Sequence, residues 1–174
     1  KIIDYPRVPF PLALDLAEAT YALGGSCKPV TAADKLGKKM TGAFTAIIGS
    51  AGKFRLLTSK GGLLQTTDLF KSVKLAYSEE EKKEELIEAF LSPPLYSAIA
   101  AKFNGLQLPM QILDKVLAKE MGVDPDAAPM VAQHFVKSAK WLGILENDRL
   151  VLPTSTGNGQ AAIVEPTISD EPVN

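Results

Sequence analysis

Residues 31–66 decide the fold, and their sequence is TAADKLGKKMTGAFTAIIGSAGKFRLLTSKGGLLQT. Thr31 and Asp34 have the spacing of a capping box, which predicts a short helix ending near Gly37. A tight turn follows, and Thr41 is a suitable N-cap for a longer helix running to about residue 54. Apolar residues recur at helical spacing in this helix and should face the core: Phe44, Ile47, Ile48 and Ala51. The polar side chains left outward are Thr41, Thr45, Ser50 and Lys53.

Two short apolar segments, residues 56–58 and 63–66, flank a turn at Lys60-Gly61-Gly62. This pattern is typical of a β-hairpin. Ahead of residue 31, Leu12–Leu23 is predicted to form a helix whose apolar residues extend almost all the way round. We therefore expect neighbouring elements to bury that helix on several sides.

Residues 31–37, 41–54 and 56–66 together resemble a winged helix-turn-helix domain. In such a domain the second and third helices form the helix-turn-helix and the hairpin is the wing. The resemblance implies this fold for the first unit. It implies less about activity, because many winged-helix domains bind no DNA.

A second unit repeats this organisation farther along the chain. Ser50-Ala51 recurs 88 residues later as Ser138-Ala139, and in both places an aromatic and two aliphatic residues follow, which indicates a tandem repeat. Helices are predicted over residues 94–103 and 109–121 and after Asp124-Pro125, followed by a hairpin at 144–152. The side chains of this last helix that are expected to face the core are Ala127, Val131, Phe135, Ala139 and Leu142. Gly143 favours its end, whereas Arg55 stands at the corresponding place in the first unit.

The expected fold class is mainly α with small β-hairpins (α+β), as two tandem winged-helix-like units joined by a helical connector. The boundaries are 1–67 for the first unit, 68–93 for the connector, 94–152 for the second unit and 153–174 for a flexible tail. Between the units, a short helix is predicted over Thr67–Tyr77. Ser78 then begins a capping box, which predicts a second, acidic helix that ends at Pro93-Pro94. Over 10–152 the chain resembles an uncharacterised prokaryotic family with two such units and a stretch like AFLSPPL, residues 89–95. That family implies no established activity.

Charge is distributed unevenly along the chain. The formal net charge is −1, so the molecule is not a bulk polycation. Residues 1–77 carry 11 Lys and Arg against 5 Asp and Glu, whereas residues 78–174 carry 8 against 15. This asymmetry suggests different partners for the two halves, although the glutamates over 79–88 are also consistent with one solvated helix face.

Several classes of protein are not expected. One cysteine excludes an internal disulfide, one histidine excludes a multi-histidine metal site, and no apolar run approaches the ~18 residues of a membrane span. No basic-then-apolar segment begins the chain. From these absences together we expect a cytoplasmic protein with no cofactor, no membrane partner and no small-molecule ligand. His134 lies beside an apolar stripe and Cys27 is a small apolar filler, so enzymatic activity is not expected.

The function predicted for the first unit is binding of duplex DNA, as in a transcriptional regulator. The candidate phosphate contacts are Lys35, Lys38, Lys39, Lys53, Arg55 and Lys60, and the candidate base or sugar contacts are Thr41, Thr45 and Ser50. No Arg, Asn or Gln lies between Thr41 and Gly52, so sequence recognition should be modest or depend on DNA shape. In the second unit Asp124 and Asp126 would repel phosphate, which favours protein contacts there. The alternative is an interaction or assembly module that binds no nucleic acid, and a homodimer is expected in either case.

Overall fold

The computed structural model describes residues 3–153, so the predicted tail at 154–174 lies outside the described residues. The described chain is mainly helical with two small antiparallel sheets, which confirms the expected fold class. The helices are α1 (Phe10–Ala22), α2 (Pro29–Lys35), α3 (Gly42–Lys53), α4 (Asp68–Lys74), α5 (Glu79–Phe90), α6 (Pro94–Phe103), α7 (Leu113–Glu120) and α8 (Ala128–Leu142). The strands are β1 (Ser26–Cys27), β2 (Leu57–Lys60), β3 (Leu63–Thr66), β4 (Leu145–Glu146) and β5 (Arg149–Leu150). Over residues 3–153 no helix combines the length and apolar character needed to cross a membrane.

The first unit has the order α1-β1-α2-α3-β2-β3, and its strands form one antiparallel sheet in the order β1-β3-β2. Leu57 pairs with Thr66 across the hairpin, and Ser26 pairs with Gln65 on the other side of β3. Gly61 and Gly62 have φ of +61° and +77°, the positive values that a two-residue type I′ turn requires. The predicted hairpin is therefore confirmed, while the two-residue β1 adds a strand that the sequence pattern did not predict.

Helix α2 does not begin at the predicted capping box. It starts two residues earlier, at Pro29, and Thr31 lies inside it. Proline fixes φ at a helical value and lacks the N–H that a first-turn residue would leave unpaired, so it favours this start. The N-cap predicted for α3 is confirmed, because the Thr41 hydroxyl accepts a hydrogen bond from the Phe44 N–H at 3.4 Å.

The connector contains the two predicted helices, of which the first is shorter than the predicted 67–77, and the cap predicted at Ser78 is confirmed. The Thr67 hydroxyl accepts from the Phe70 N–H at 3.1 Å and begins α4. The Ser78 hydroxyl accepts from the Glu81 N–H at 3.1 Å and begins α5. Three glutamates in the first turn of α5 lie where the helix dipole favours negative charge.

Two helices of the second unit start later than predicted. Residues 105–108 form backbone hydrogen bonds with the β4–β5 hairpin, among them Gly105 N–H to Leu150 C=O at 2.7 Å. A turn follows, in which the Ile112 N–H donates to the Pro109 carbonyl at 2.9 Å, and α7 begins at Leu113 rather than at residue 109. Asp124 caps a turn instead of α8, because its carboxylate accepts from the Asp126 N–H at 2.9 Å. The apolar stripe of α8 is confirmed at Val131, Phe135, Ala139 and Leu142, while Ala127 is half-buried.

The ends of α3 and α8 have the same geometry. The Leu56 N–H donates to the Ala51 carbonyl at 2.9 Å, and the Ile144 N–H donates to the Ala139 carbonyl at 3.0 Å. Arg55 has a φ of +61° and thereby takes the left-handed conformation that Gly143 takes at +77°. The two helix ends thus have matching backbone hydrogen bonds.

Both units share one apolar core. The Phe10 ring lies 4.8 Å from the Phe54 ring and 5.8 Å from the Phe90 ring, measured between centroids. The Phe90 ring lies 5.2 Å from the Phe135 ring of α8. The core therefore runs from the first unit through the connector helix α5 into the second unit without interruption.

Candidate nucleic-acid interface

The solvent-facing side of α3 is made of small residues. Its exposed positions are Gly42, Ala43, Thr45, Gly49 and Gly52. A Cβ atom added at Gly42 or Gly49 would meet no described atom within 4 Å. This surface allows another molecule to approach the backbone closely. It offers few of the long polar side chains that distinguish bases in the major groove.

A groove runs along the N-terminal half of α3. Its cavity volume is about 480 Å³, and it lies between the segment at Arg7, the first turn of α1 and the α2–α3 turn. The cations among its lining residues are Arg7, Lys38 and Lys39, and its buried apolar lining residues are Val8, Phe44 and Ile47. The structure therefore places two of the predicted phosphate contacts, Lys38 and Lys39, beside α3.

Arg7 belongs to this groove, although the sequence analysis did not select it. Its backbone N–H donates to the Ser50 hydroxyl at 2.9 Å, which holds the segment against α3. The Arg7 guanidinium lies 5.3 Å from the centre of the Tyr5 ring. A long-range hydrogen bond determines this position, and no local pattern in the sequence indicates it.

The prediction that Ser50 faces outward and contacts DNA is wrong. Ser50 is 1% exposed, and its hydroxyl accepts the hydrogen bond from the Arg7 N–H. Ser50 lies three residues after the buried Ile47, on the same face of the helix, and the N-terminal segment covers that edge. Ser138, its counterpart in α8, is also buried and accepts from the Phe10 N–H at 2.9 Å.

Two further predicted contacts lie apart from the groove. The Lys53 ammonium is 3.5 Å from the Asp4 carboxylate and is only partly exposed. Arg55 lines a different cavity, together with Asp68 and glutamates of α5. Neither side chain joins Lys38 and Lys39, because Lys53 ends the 12-residue α3 and Arg55 follows it, about 17 Å along the helix axis from the first turn.

The remaining predicted contacts are exposed. Lys35 lies in the last turn of α2, and Lys60 ends β2 beside the hairpin turn. Within residues 3–153, none of Lys35, Lys38, Lys39 or Lys60 forms an ion pair. Their positive charges are therefore available to a polyanion.

The threonine hydroxyls of α3 are partly used by the helix itself. Thr41 caps the helix, and the Thr45 hydroxyl donates to the Thr41 carbonyl at 3.2 Å. Gln65 on β3 is an exposed amide that the sequence analysis missed. The alternation of exposed and buried residues over 63–66 is the signal that indicates it.

His134 has the core-edge position that the sequence predicts. It is half-buried, and burial lowers the pKa of its imidazole, with a further lowering from the charge of Lys137. Its Nδ1 atom has no hydrogen-bond partner in the described part of the chain. Among the described residues, no group of three or more His, Cys, Asp or Glu is arranged to hold a metal ion.

Comparison with known proteins finds no matching family model, no matching curated protein and no matching solved structure. Function is therefore inferred from the fold and surface of the chain itself.

Proposed function

We propose that the first unit is a winged helix-turn-helix domain that binds duplex DNA. The element order supports the fold assignment, since three helices and a short strand precede an antiparallel hairpin. The observation that carries the functional proposal is the cationic groove along α3. Arg7, Lys38 and Lys39 all line this groove, and none of them forms an ion pair within residues 3–153.

In this proposal the N-terminal half of α3 enters the major groove, while Lys35, Lys38, Lys39 and Arg7 contact phosphates on its flank. Lys60 contacts the backbone from the hairpin. The N-terminus of α3 adds its partial positive charge near the same phosphates. Because the exposed face of α3 carries small residues, binding is mainly electrostatic and discriminates weakly between sequences.

Fluorescence anisotropy with labelled random and genomic duplexes tests the proposal at low protein concentration. The paired substitution Lys38→Glu and Lys39→Glu should weaken binding at least about tenfold, because it replaces attraction to phosphate by repulsion. With about five cations in contact, the logarithm of the affinity should fall with the logarithm of salt concentration with a slope near −4 to −5.

The matched control is Lys115→Glu with Lys119→Glu on α7, which changes the net charge equally at exposed positions of the other unit. This control should retain most of the affinity. Absence of binding by the unaltered protein rejects the proposal. Equal losses in the two variants would instead indicate attraction to overall charge rather than a defined interface.

A further inference from the structure

A second groove lies on the connector, between α4, α5, the start of α6 and the chain near residue 153. Its cavity volume is about 900 Å³. Its apolar floor includes Leu69, Ile87 and Leu91, and its rim carries four carboxylates: Asp68, Glu84, Glu85 and Glu88. We call it the acidic groove. Arg55 is the single cation among its described lining residues.

The negative charge of the acidic groove is left largely uncompensated. None of the four rim carboxylates forms an ion pair within residues 3–153. The lysines of α5, Lys82 and Lys83, line a separate cavity beside Trp141. Burial, followed by repulsion from Glu81, Glu88 and Glu84, raises the pKa of the Glu85 carboxyl. A cationic partner with an apolar group would relieve this repulsion and cover the floor.

The chain itself presents a surface of that chemistry. Lys38, Lys39 and Met40 are consecutive exposed residues in the α2–α3 turn, and we call them the basic knob. Met40 is 48% exposed, so a flexible apolar side chain stands next to two ammonium groups. None of the three knob residues lines the acidic groove, so the two are separate surfaces of one chain.

We propose that two copies of this chain associate by placing the basic knob of one copy in the acidic groove of the other. Met40 covers the floor at Leu69 and Leu91, and the two lysines pair with the rim carboxylates. Two different surfaces meet in this contact. Two copies satisfy it either reciprocally, as a dimer, or head to tail, as a longer assembly. The inference does not depend on DNA binding, although DNA would compete for Lys38 and Lys39.

Light scattering coupled to size exclusion of the full chain tests the association without nucleic acid. At about 100 μM protein and about 50 mM salt we expect a mass above that of one chain, and at about 500 mM salt the mass of one chain, because screening weakens ionic contacts. Two variants test the two surfaces one at a time. The knob variant carries Lys38→Glu and Lys39→Glu, and the groove variant carries Glu84→Lys and Glu88→Lys. Each alone should be monomeric, with an unchanged circular dichroism spectrum.

Charge complementarity makes a sharper prediction for the mixture. Equal amounts of the knob variant and the groove variant should associate, because each supplies the intact surface that the other lacks. Association that persists in both single-surface variants would overturn the proposal, as would a monomer at low salt in the unaltered protein. The groove variant should still bind DNA, so failure of the association and failure of the proposed function are distinguishable. The Lys115→Glu and Lys119→Glu control should associate normally.

Discussion

Arg55 adopts a backbone conformation that costs most residues free energy. Its φ of +61° lies in the left-handed region, where a side chain with a Cβ is disfavoured by about 1–2 kcal/mol. Glycine avoids this strain but loses about 0.5–1 kcal/mol in chain entropy. We expect Arg55→Gly to raise the free energy of unfolding by about 0.5–1 kcal/mol in urea titrations. DNA affinity should not change, since Arg55 lines the acidic groove; a loss of affinity would place Arg55 back in the interface.

The candidate site was only partly predictable from single residues. Lysines in a turn or at a hairpin tip are exposed almost irrespective of the fold, so Lys35, Lys38, Lys39 and Lys60 could be selected from the sequence. Ser50 could not be placed, because it lies at the edge of the apolar stripe and a distant segment covers it. Arg7 was missed for the same reason, since contacts between distant parts of the chain determine which surface residues become neighbours.

At the scale of elements, strong local signals predicted the structure and weak ones did not. Caps at Thr41 and Ser78 and the paired glycines of the first hairpin act within a few residues, so both helices and the hairpin were predicted. Strand β1 is too short to show a period of two. Residues 109–112 resemble the start of a helix in their apolar content, but they form a turn in which the Ile112 N–H donates to the Pro109 carbonyl at 2.9 Å, and α7 begins only after it.

Ser50 and Ser138 attach α3 and α8 to the segment that leads into α1. Each hydroxyl accepts a backbone N–H, from Arg7 and from Phe10 respectively, at 2.9 Å. Substitution by alanine leaves that donor without a partner, which costs about 1–3 kcal/mol of unfolding free energy. We expect Ser138→Ala to cost more than Ser50→Ala, because the Phe10 bond is fully buried and the Arg7 bond only partly.

Chemical denaturation of the two single variants and the double variant measures these costs. The double variant should lose less than the two single losses added together, because both bonds fix the same short segment. Ser59→Ala in the exposed hairpin is the control and should stay within about 0.5 kcal/mol of the unaltered protein. Full additivity would contradict the view that the two helices fix one segment jointly.

For the whole molecule, the predicted division into two units and the observed shared core lead to different expectations for unfolding. The boundaries at 67 and 94 were predicted from local patterns, and two repeated units could in principle unfold separately. The aromatic contacts of Phe10, Phe54, Phe90 and Phe135 instead cross those boundaries. Sequence periodicity reports which face of an element is apolar, but it does not report which other element covers that face.

Continuity of the core predicts one cooperative unfolding transition. Trp141 is the sole tryptophan, lies in α8 of the second unit, and has its ring 6.2 Å from the Phe10 ring. Ile47→Val in α3 removes one buried methylene of the first unit and should lower stability by about 0.5–1.5 kcal/mol. Because the units unfold together, the tryptophan fluorescence midpoint and the circular dichroism midpoint should fall equally. A fluorescence midpoint unmoved by Ile47→Val would mean that the second unit unfolds independently of the first.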